Sequence, residues 1–466
     1  MRIPWGLQAC HVYRSELRDH LRIRWISIKG LFGSLDHDIP LFQREPITII
    51  HGPNGVGKTS ILKLVSGALK GSSKLLRSVP FAKLSLGFDE GSAVEVTPET
   101  LQDSSMARTR AQRLSKARTA FRFQLVRDGQ VEGEYIHSPY STKSSGLLAS
   151  RIEQWLPHLD RVGPDRWLDP RFGRVLSFEE VVRRYGPDLP EEARPNEIPG
   201  WLADIQKSTP VHFIETQRLL ATTQVGEPDA SQEAKVKQCA TELAGRINQI
   251  LAQSATLSQT LERSFPTRLI SGTGTGTGPL SESETRAKLH ELDQKRSRLV
   301  EAGLLDPSSE PNLPAKRFDD TTQRVLGVYI ADTEQKLHIF DDMLSRIELI
   351  KSIVDARFLQ KRVLVNRQDG FAVLTRNERP VDLSGLSSGE QHELVLLYEL
   401  LFRAEPNTLI LIDEPELSLH IAWQQKFLKD LLQITRLARL QALVATHSPQ
   451  IVHDRWDLAV ELLGPN

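Results

Sequence analysis

Residues 47–60 read "ITIIHGPNGVGKTS". A short apolar run from Ile47 to Ile50 ends in a glycine-rich turn, and Lys58, Thr59 and Ser60 follow. Gly52, Gly57, Lys58 and Thr59 fit the phosphate-loop pattern G-x-x-x-x-G-K-[ST] in full. The surroundings fit as well. The apolar run suits a strand buried on both faces. The segment "ILKLVSGAL" then puts Ile61, Leu62, Leu64, Val65, Ala68 and Leu69 on one broad helical face. In such a loop, backbone N–H groups converge on a phosphate at a helix start, where the dipole also favours an anion. The expected binding residues are Gly52, Pro53, Asn54, Gly55, Val56, Gly57, Lys58, Thr59 and Ser60. Lys58 would bridge β- and γ-phosphates, and Thr59 Oγ would ligate magnesium.

Two further strand ends carry polar groups. In "NTLILIDEPELSLH" (407–420) an apolar strand ends in Asp413 and Glu414. The carboxyl end of a buried strand is where ligands bind in such sheets. Asp413 is therefore placed to hold the magnesium shell, and Glu414 to polarise an attacking water. An ordinary strand-to-loop exit is the alternative for paired acids taken alone. "QALVATHSPQIV" (441–452) is another buried strand, ending at His447, which is expected to touch the γ-phosphate rather than serve a structural role. Gln217 follows the strand pattern "VHFIET" and is a candidate for sensing magnesium and the attacking water; a solvated strand end is the alternative reading.

Residues 383–394, "LSGLSSGEQHEL", place a Ser/Gly turn at the mouth of the apolar segment "LVLLYELLF". "LSSGEQ" resembles the signature motif of ABC-type ATPases, in the variant form of their SMC, Rad50 and RecF branch. Ser387, Ser388, Gly389 and Glu390 are its residues here. The resemblance implies ATP with Mg2+ as ligands, and an anion site at Ser387 and Gly389 that closes over the nucleotide held by a second copy. It therefore implies a homodimer with ATP sandwiched between heads, or a higher oligomer. "ELSLH" resembles the D-loop of the same family, with Ser418 and His420 near the dimer seam. Taken together, the motifs look like those of the prokaryotic OLD-like ATPases.

The rest of the chain sets the architecture. Residues 23–41 alternate as β, with a turn at Gly33-Ser34; "FAKLSLGFDEGSAVEV" and "FRFQLVRDGQVEGEYI" read as hairpins turning at Asp89–Gly91 and Asp128–Gly129. "VHFIETQRLL" (211–220) reads as a strand, and "RVLVNRQDGFAVLTRN" as a further hairpin. The Pro-, Arg- and Trp-rich stretch 138–210 reads as loops and short helices. Val236, Ala240, Leu243, Ile247, Ile250, Leu257 and Leu261 follow heptad spacing; so do Leu289, Leu292 and Leu299. Leu326, Ile330, Leu337, Phe340, Leu344, Ile347 and Val354 repeat it, with Thr333 and Lys351 as polar interruptions. "SGTGTGTGP" (271–279) reads as a flexible link between two of these helices.

The expected fold is thus α/β: an ABC-type P-loop ATPase head with an antiparallel β subdomain, split by an inserted helical bundle or coiled-coil arm. The divisions are 1–22, a leader or misassigned start; 23–229, the first part of the head; 230–365, the arm; and 366–466, the second part of the head. Lys plus Arg number 59 and Asp plus Glu number 59, so no global attraction to nucleic acid is expected. A local track remains in Arg108, Arg110, Arg113, Lys116, Arg118, Arg122 and Arg127, a possible DNA contact or a solvated face. Two cysteines, Cys10 and Cys239, in no metal-type spacing suit a reducing cytoplasm. No apolar run is long enough for a membrane span, and no signal peptide is evident.

OLD-family nucleases carry a Toprim domain after the ATPase, whereas only residues 448–466 follow His447 here, so no nuclease is expected in this chain. The resemblance then extends to stand-alone ATPases of anti-phage defence modules, of the Septu, retron-associated and PARIS types. It implies a sensor or scaffold controlling a separate effector, commonly a nuclease. A RecF- or Rad50-like clamp in DNA repair is the alternative, and a transporter engine is the poorer third.

Overall fold

A five-stranded sheet carries the phosphate loop in this computed structural model, which describes residues 21–41, 44–101, 118–137, 151–163, 166–171, 174–185, 188–189, 198–215, 235–271, 281–307, 317–417 and 419–464. The strand order is Val211–Ile214, Leu409–Asp413, Gln441–Ala445, Ile47–His51, Ala459–Glu461, and every neighbouring pair is parallel. Ile47–His51 therefore lies inside the sheet, as its unbroken apolar run leads one to expect.

Strand periodicity explains that composition. Ile47, Ile49, Ile410, Ile412, Ala442 and Val444 face one core, while Ile50, Leu409, Leu411, Leu443 and Ala445 face another. Each fully buried Leu or Ile contributes about 1.5–3 kcal/mol. One face is covered by helix Lys58–Lys70, which buries Ile61, Leu62, Leu64, Val65, Ala68 and Leu69, and by the antiparallel sheet. The other takes helices Ser388–Tyr398 and Ile421–Ala438. The phosphate-loop helix and the signature helix thus pack on opposite faces of the same sheet.

The antiparallel sheet has six strands in the order Leu35–Pro40, Ile23–Leu31, Lys83–Phe88, Ser92–Leu101, Arg118–Arg127, Gln130–His137. Its hairpins are those expected from the turn residues. The hairpin Lys361–Asn366 with Gly370–Thr375 also forms, joined by the short strand Pro380–Val381.

Two sequence expectations are corrected. Within 138–210, loops and short helices were expected. The described part instead contains a three-stranded antiparallel sheet, Asp160–Gly163, Arg166–Asp169 and Arg174–Ser177, around buried Trp167, with helix Phe178–Tyr185 beside it. Short polar strands of this kind have no alternation long enough to read.

The segment expected to be the arm, 230–365, holds four helices: Lys235–Ser271, Glu282–Glu301, Asp320–His338 and Asp341–Asp355. The last heptad run is therefore two helices, broken at Ile339 and Phe340. Asp341–Asp355 packs on the strand Lys361–Asn366, the signature helix and helix Ile421–Ala438, so it belongs to the body of the head. Its apolar residues Leu344, Ile347 and Val354 serve that packing, which heptad spacing cannot distinguish from an arm. The strand beginning at Lys361 also takes the last residues of the expected 230–365 arm into the hairpin.

The arm's first helix is rooted on that hairpin. Gly370 sits at φ +69°, and a Cβ there would collide with the Ala240 carbonyl oxygen. Asn248 Nδ2 donates to the Arg367 carbonyl at 3.0 Å beside it. The leader region 1–20, the link at 272–280 and residues 216–220 of the expected strand lie outside the described residues.

Candidate active site

The loop from Gly52 to Gly57 leaves the sheet and turns into helix Lys58–Lys70, with Gly57 in a left-handed conformation at its N-cap. Gly52 is at φ +153°, and a Cβ there would meet the Leu462 carbonyl oxygen at 2.5 Å. Leu462 is held there because its N–H donates to the His51 carbonyl at 2.8 Å. Only glycine lets the loop backbone pass this close to the neighbouring chain.

Lys58 is 5% exposed. Its Nζ donates to the Gly52 carbonyl at 2.8 Å and the Pro53 carbonyl at 3.0 Å. Burial pushes its pKa below the usual lysine value, opposed by the nearby carboxylates of Glu414, Glu416 and Asp413. Thr59 Oγ1 donates to Asp413, at 2.9 Å to Oδ1 and 3.0 Å to Oδ2. Asp413 is the buried last residue of strand Leu409–Asp413. A hydroxyl from the first turn of helix Lys58–Lys70 and a carboxylate from a strand end are hard oxygen donors of the kind Mg2+ takes when phosphates and water complete its shell. Among the described residues no cluster of three His, Cys, Asp or Glu could form an all-protein cage.

Glu414 follows at φ +45°, a left-handed conformation rare for a residue with a side chain. Its N–H still donates to the Ala445 carbonyl at 2.9 Å, so the strained residue is pinned by the neighbouring strand. Its Oε1 lies 3.8 Å from His447 Nε2. His447 leaves the end of strand Gln441–Ala445, and its Nδ1 lies 3.1 Å from Lys58 Nζ. Asp413, Glu414, His447, Lys58 and Thr59 are thus brought together from segments hundreds of residues apart.

Sequence reasoning missed Glu416 beside these residues. Glu416 Oε1 accepts the His447 backbone N–H at 2.8 Å, which fixes the loop carrying the imidazole. Its Oε2 is buried without a hydrogen-bond partner. The signal was present as a third acid in "DEPE", two residues past Glu414.

The signature turn is built as a capping box. Ser387 Oγ accepts from the Glu390 N–H at 3.3 Å, and Glu390 Oε2 accepts from the Ser387 N–H at 2.9 Å. Ser388 and Gly389 are the first two residues of the helix that follows. Gln391 Nε2 donates to the carbonyls of Ser384 and Leu386 and ties down the approach to the turn. Glu390 is 7% exposed. Burial alone would raise its pKa, but Lys361 and Ser387 hold it below the usual carboxylate range.

Other expected residues fall elsewhere. Gln217, Ser418, Arg108, Arg110, Arg113 and Lys116 lie outside the described residues. His420 Nδ1 accepts from the Ala422 N–H as the N-cap of helix Ile421–Ala438. Arg122 is ion-paired with Glu99 and Glu134, and Arg127 with Glu90 and Glu132, so these two charges of the basic track are balanced by neighbours. No described helix is long and apolar enough to cross a membrane.

A parallel sheet with the phosphate loop, paired acids and histidine at three adjacent strand ends, an antiparallel sheet on one face and inserted helices on the other define an ABC-type P-loop ATPase head. Comparison with known families agrees. A profile described as "AAA domain" matches residues 26–134. A second, described as "AAA domain, putative AbiEii toxin, Type IV TA system", matches 271–453. The first holds the phosphate loop, and the second holds Ser387, Asp413, Glu414 and His447.

The chain matches none of the curated proteins. Similar solved structures include an SmcHead bound to the C-winged helix domain of ScpA, at 11% identity, 95% of each chain and TM-score 0.35. The Smc head domain with a coiled coil and joint from Pyrococcus yayanosii has 13% identity, 96% of each chain and TM-score 0.32. The SMC head domain from Thermotoga maritima has 12% identity, 94% of this chain, 92% of that chain and TM-score 0.30.

Proposed function

We propose that two copies of this head close over two ATP molecules and hydrolyse them, each copy supplying a lysine cradle to one site and a serine lid to the other. The observation that carries this reading is the packing of the two helices on opposite faces of one sheet: Lys58 begins one and Ser387 caps the other. Such a placement favours a lid that serves a neighbouring molecule.

In each site the loop N–H groups and Lys58 bind the β- and γ-phosphates. Thr59 and Asp413 would hold Mg2+, which when bound would neutralise charge developing on the phosphates. Glu414 takes the proton of the attacking water, and His447 donates to the γ-phosphate. Ser387 and the first turn of its helix close the site against bulk water. Gln217 is carried as a further sensor of the metal and the water.

A complementation experiment tests the pairing. Lys58→Ala and Ser387→Arg each disable both sites of a homodimer. A mixed dimer regains one intact site, so mixing the two inactive proteins should restore ATP hydrolysis. Absence of any restoration, with both variants folded, sinks the composite site.

For biology we favour a cytoplasmic sensor and scaffold of a bacterial anti-phage module that controls a separate effector, a nuclease, with no nuclease centre of its own. The AbiEii toxin named in the description of the profile over 271–453 is compatible with a two-component module. The RecF- or Rad50-like DNA clamp differs in one measurement: duplex DNA alone should stimulate ATP hydrolysis by a clamp and leave the sensor unchanged.

A further inference from the structure

Lys361 belongs to none of the motifs. It opens strand Lys361–Asn366, yet its Nζ lies 2.8 Å and 2.7 Å from the two carboxylate oxygens of Glu390. The same carboxylate accepts the Ser387 N–H at 2.9 Å and the Ser387 Oγ–H at 3.0 Å. The lid serine is therefore bonded to a carboxylate whose counter-ion comes from a separate hairpin.

This arrangement raises an electrostatic problem that the lysine solves. An acid in the first turn suits the helix dipole. A triphosphate approaching that turn is also an anion, and a bare Glu390 would repel it. Closure of two heads removes water, lowers the local dielectric and strengthens that repulsion. A fixed ammonium bonded to both carboxylate oxygens cancels the charge while leaving the capping box intact. It also lets the Ser387 hydroxyl turn from Glu390 to an incoming phosphate without stranding a buried, unpaired acid.

We propose that Lys361 is a positioning residue of the composite site, neutralising Glu390 so that the Ser387 turn accepts the triphosphate held by a second copy of this chain. The inference rests on the paired-head reading above. Burial favours the protonated acid, but Lys361 and Ser387 overcome it, so Glu390 is charged at neutral pH and the counter-charge is always required.

The test uses the full chain, a fluorescent ATP analogue for the Lys58 cradle, and ATPase rate per molecule as a function of protein concentration. Lys361→Met should bind the analogue with affinity within about twofold of the parent, because the cradle is untouched. It should need about tenfold or more protein for half-maximal rate, as like-charge contact across an interface predicts. Adding Glu390→Gln to Lys361→Met should bring that concentration back within about threefold of the parent, and Lys361→Arg should stay near it.

Unchanged concentration dependence in Lys361→Met overturns the inference. So does a defect that persists in the Lys361→Met/Glu390→Gln variant, as a merely structural contact would give. A parent protein whose rate per molecule is flat with concentration and whose mass with ATP is that of one copy is a different result: it removes the paired reading itself.

Discussion

Lys58 and His447 stand 389 residues apart in sequence, and their nitrogens lie 3.1 Å apart. An ammonium only donates, so His447 Nδ1 must accept. In the neutral ring the proton then sits on Nε2, the nitrogen that faces Glu414 Oε1 at 3.8 Å. That distance is too long for a hydrogen bond, and a water that accepts from Nε2–H and donates to the carboxylate could bridge the two after small movements. The lysine cradle, the imidazole and the proposed base are thus in one line of contact.

Removing the imidazole should separate binding from turnover. His447→Ala is expected to bind ATP within a few-fold of the parent and to hydrolyse it about 10²-fold more slowly, the usual cost of losing a donor aimed at developing charge. Lys58→Ala, in contrast, should abolish nucleotide binding. Equilibrium binding and steady-state hydrolysis measured on the same preparations check both outcomes.

Glu414→Gln should trap the closed pair. The variant keeps the Asp413 and Thr59 ligands but loses the proton acceptor, so hydrolysis should fall about 10²–10⁴-fold while binding persists. Light scattering with ATP and Mg2+ should report twice the mass seen without nucleotide. A monomer with ATP bound, or an unchanged rate, contradicts the assignment.

A pH effect comes from a buried charge network beneath the signature helix. Glu399 accepts from His212 Nε2 at 2.7 Å and Arg403 at 2.6 Å, with Lys235 at 3.6 Å. Arg403 also pairs with Glu242 from the arm, and Glu242 accepts from the Tyr398 hydroxyl at 3.2 Å. Burial would raise the Glu399 pKa, but His212, Arg403 and Lys235 hold it below the ordinary carboxylate value. A depressed acid adds stability that is complete above its unfolded pKa, about 4.3, and is lost as pH falls through the folded value. The melting temperature should therefore drop from about pH 5 downward. Glu399→Gln should melt lower at neutral pH, by an amount equivalent to about 1.5–3 kcal/mol. Its melting temperature should also change less between these pH values. Thermal scans of the parent and the variant decide it.

Cys239 should be inert in the native protein. It is fully buried where the arm's first helix meets Glu399 and Arg403 of the head, and burial pushes its pKa up to about 12. At pH 8 only about one part in 10⁴ is thiolate, and the reagent has no path to it. Iodoacetamide should leave the Cys239 peptide unmodified before denaturation and modify it fully afterwards, as read by mass spectrometry. Native labelling would mean that the arm opens at its root.

Much of the head was legible because its chemistry is local in sequence. The glycine loop, the apolar strand ending in Asp413 and Glu414, and the capping box of Ser387 with Glu390 are all short patterns with a mechanical reason for each residue. The hairpins were legible from turn residues and alternation. What escaped reading depends on contacts between distant segments. Lys361 has no local mark that it will meet Glu390, and Glu416 shows only that an acid is present, not that it will hold the His447 loop. The helix Asp341–Asp355 carries the same apolar period whether it lines an arm or the body of the head, and only its neighbours distinguish the two.

At Gly370 the arm and the hairpin meet backbone to backbone, with no side chain between them to absorb strain. The far end of that hairpin strand pair begins at Lys361, which grips the lid. An unbroken run of contacts thus joins the helix Lys235–Ser271 to the serine turn, the layout of a handle by which a bound protein could lift or seat the lid without approaching the nucleotide.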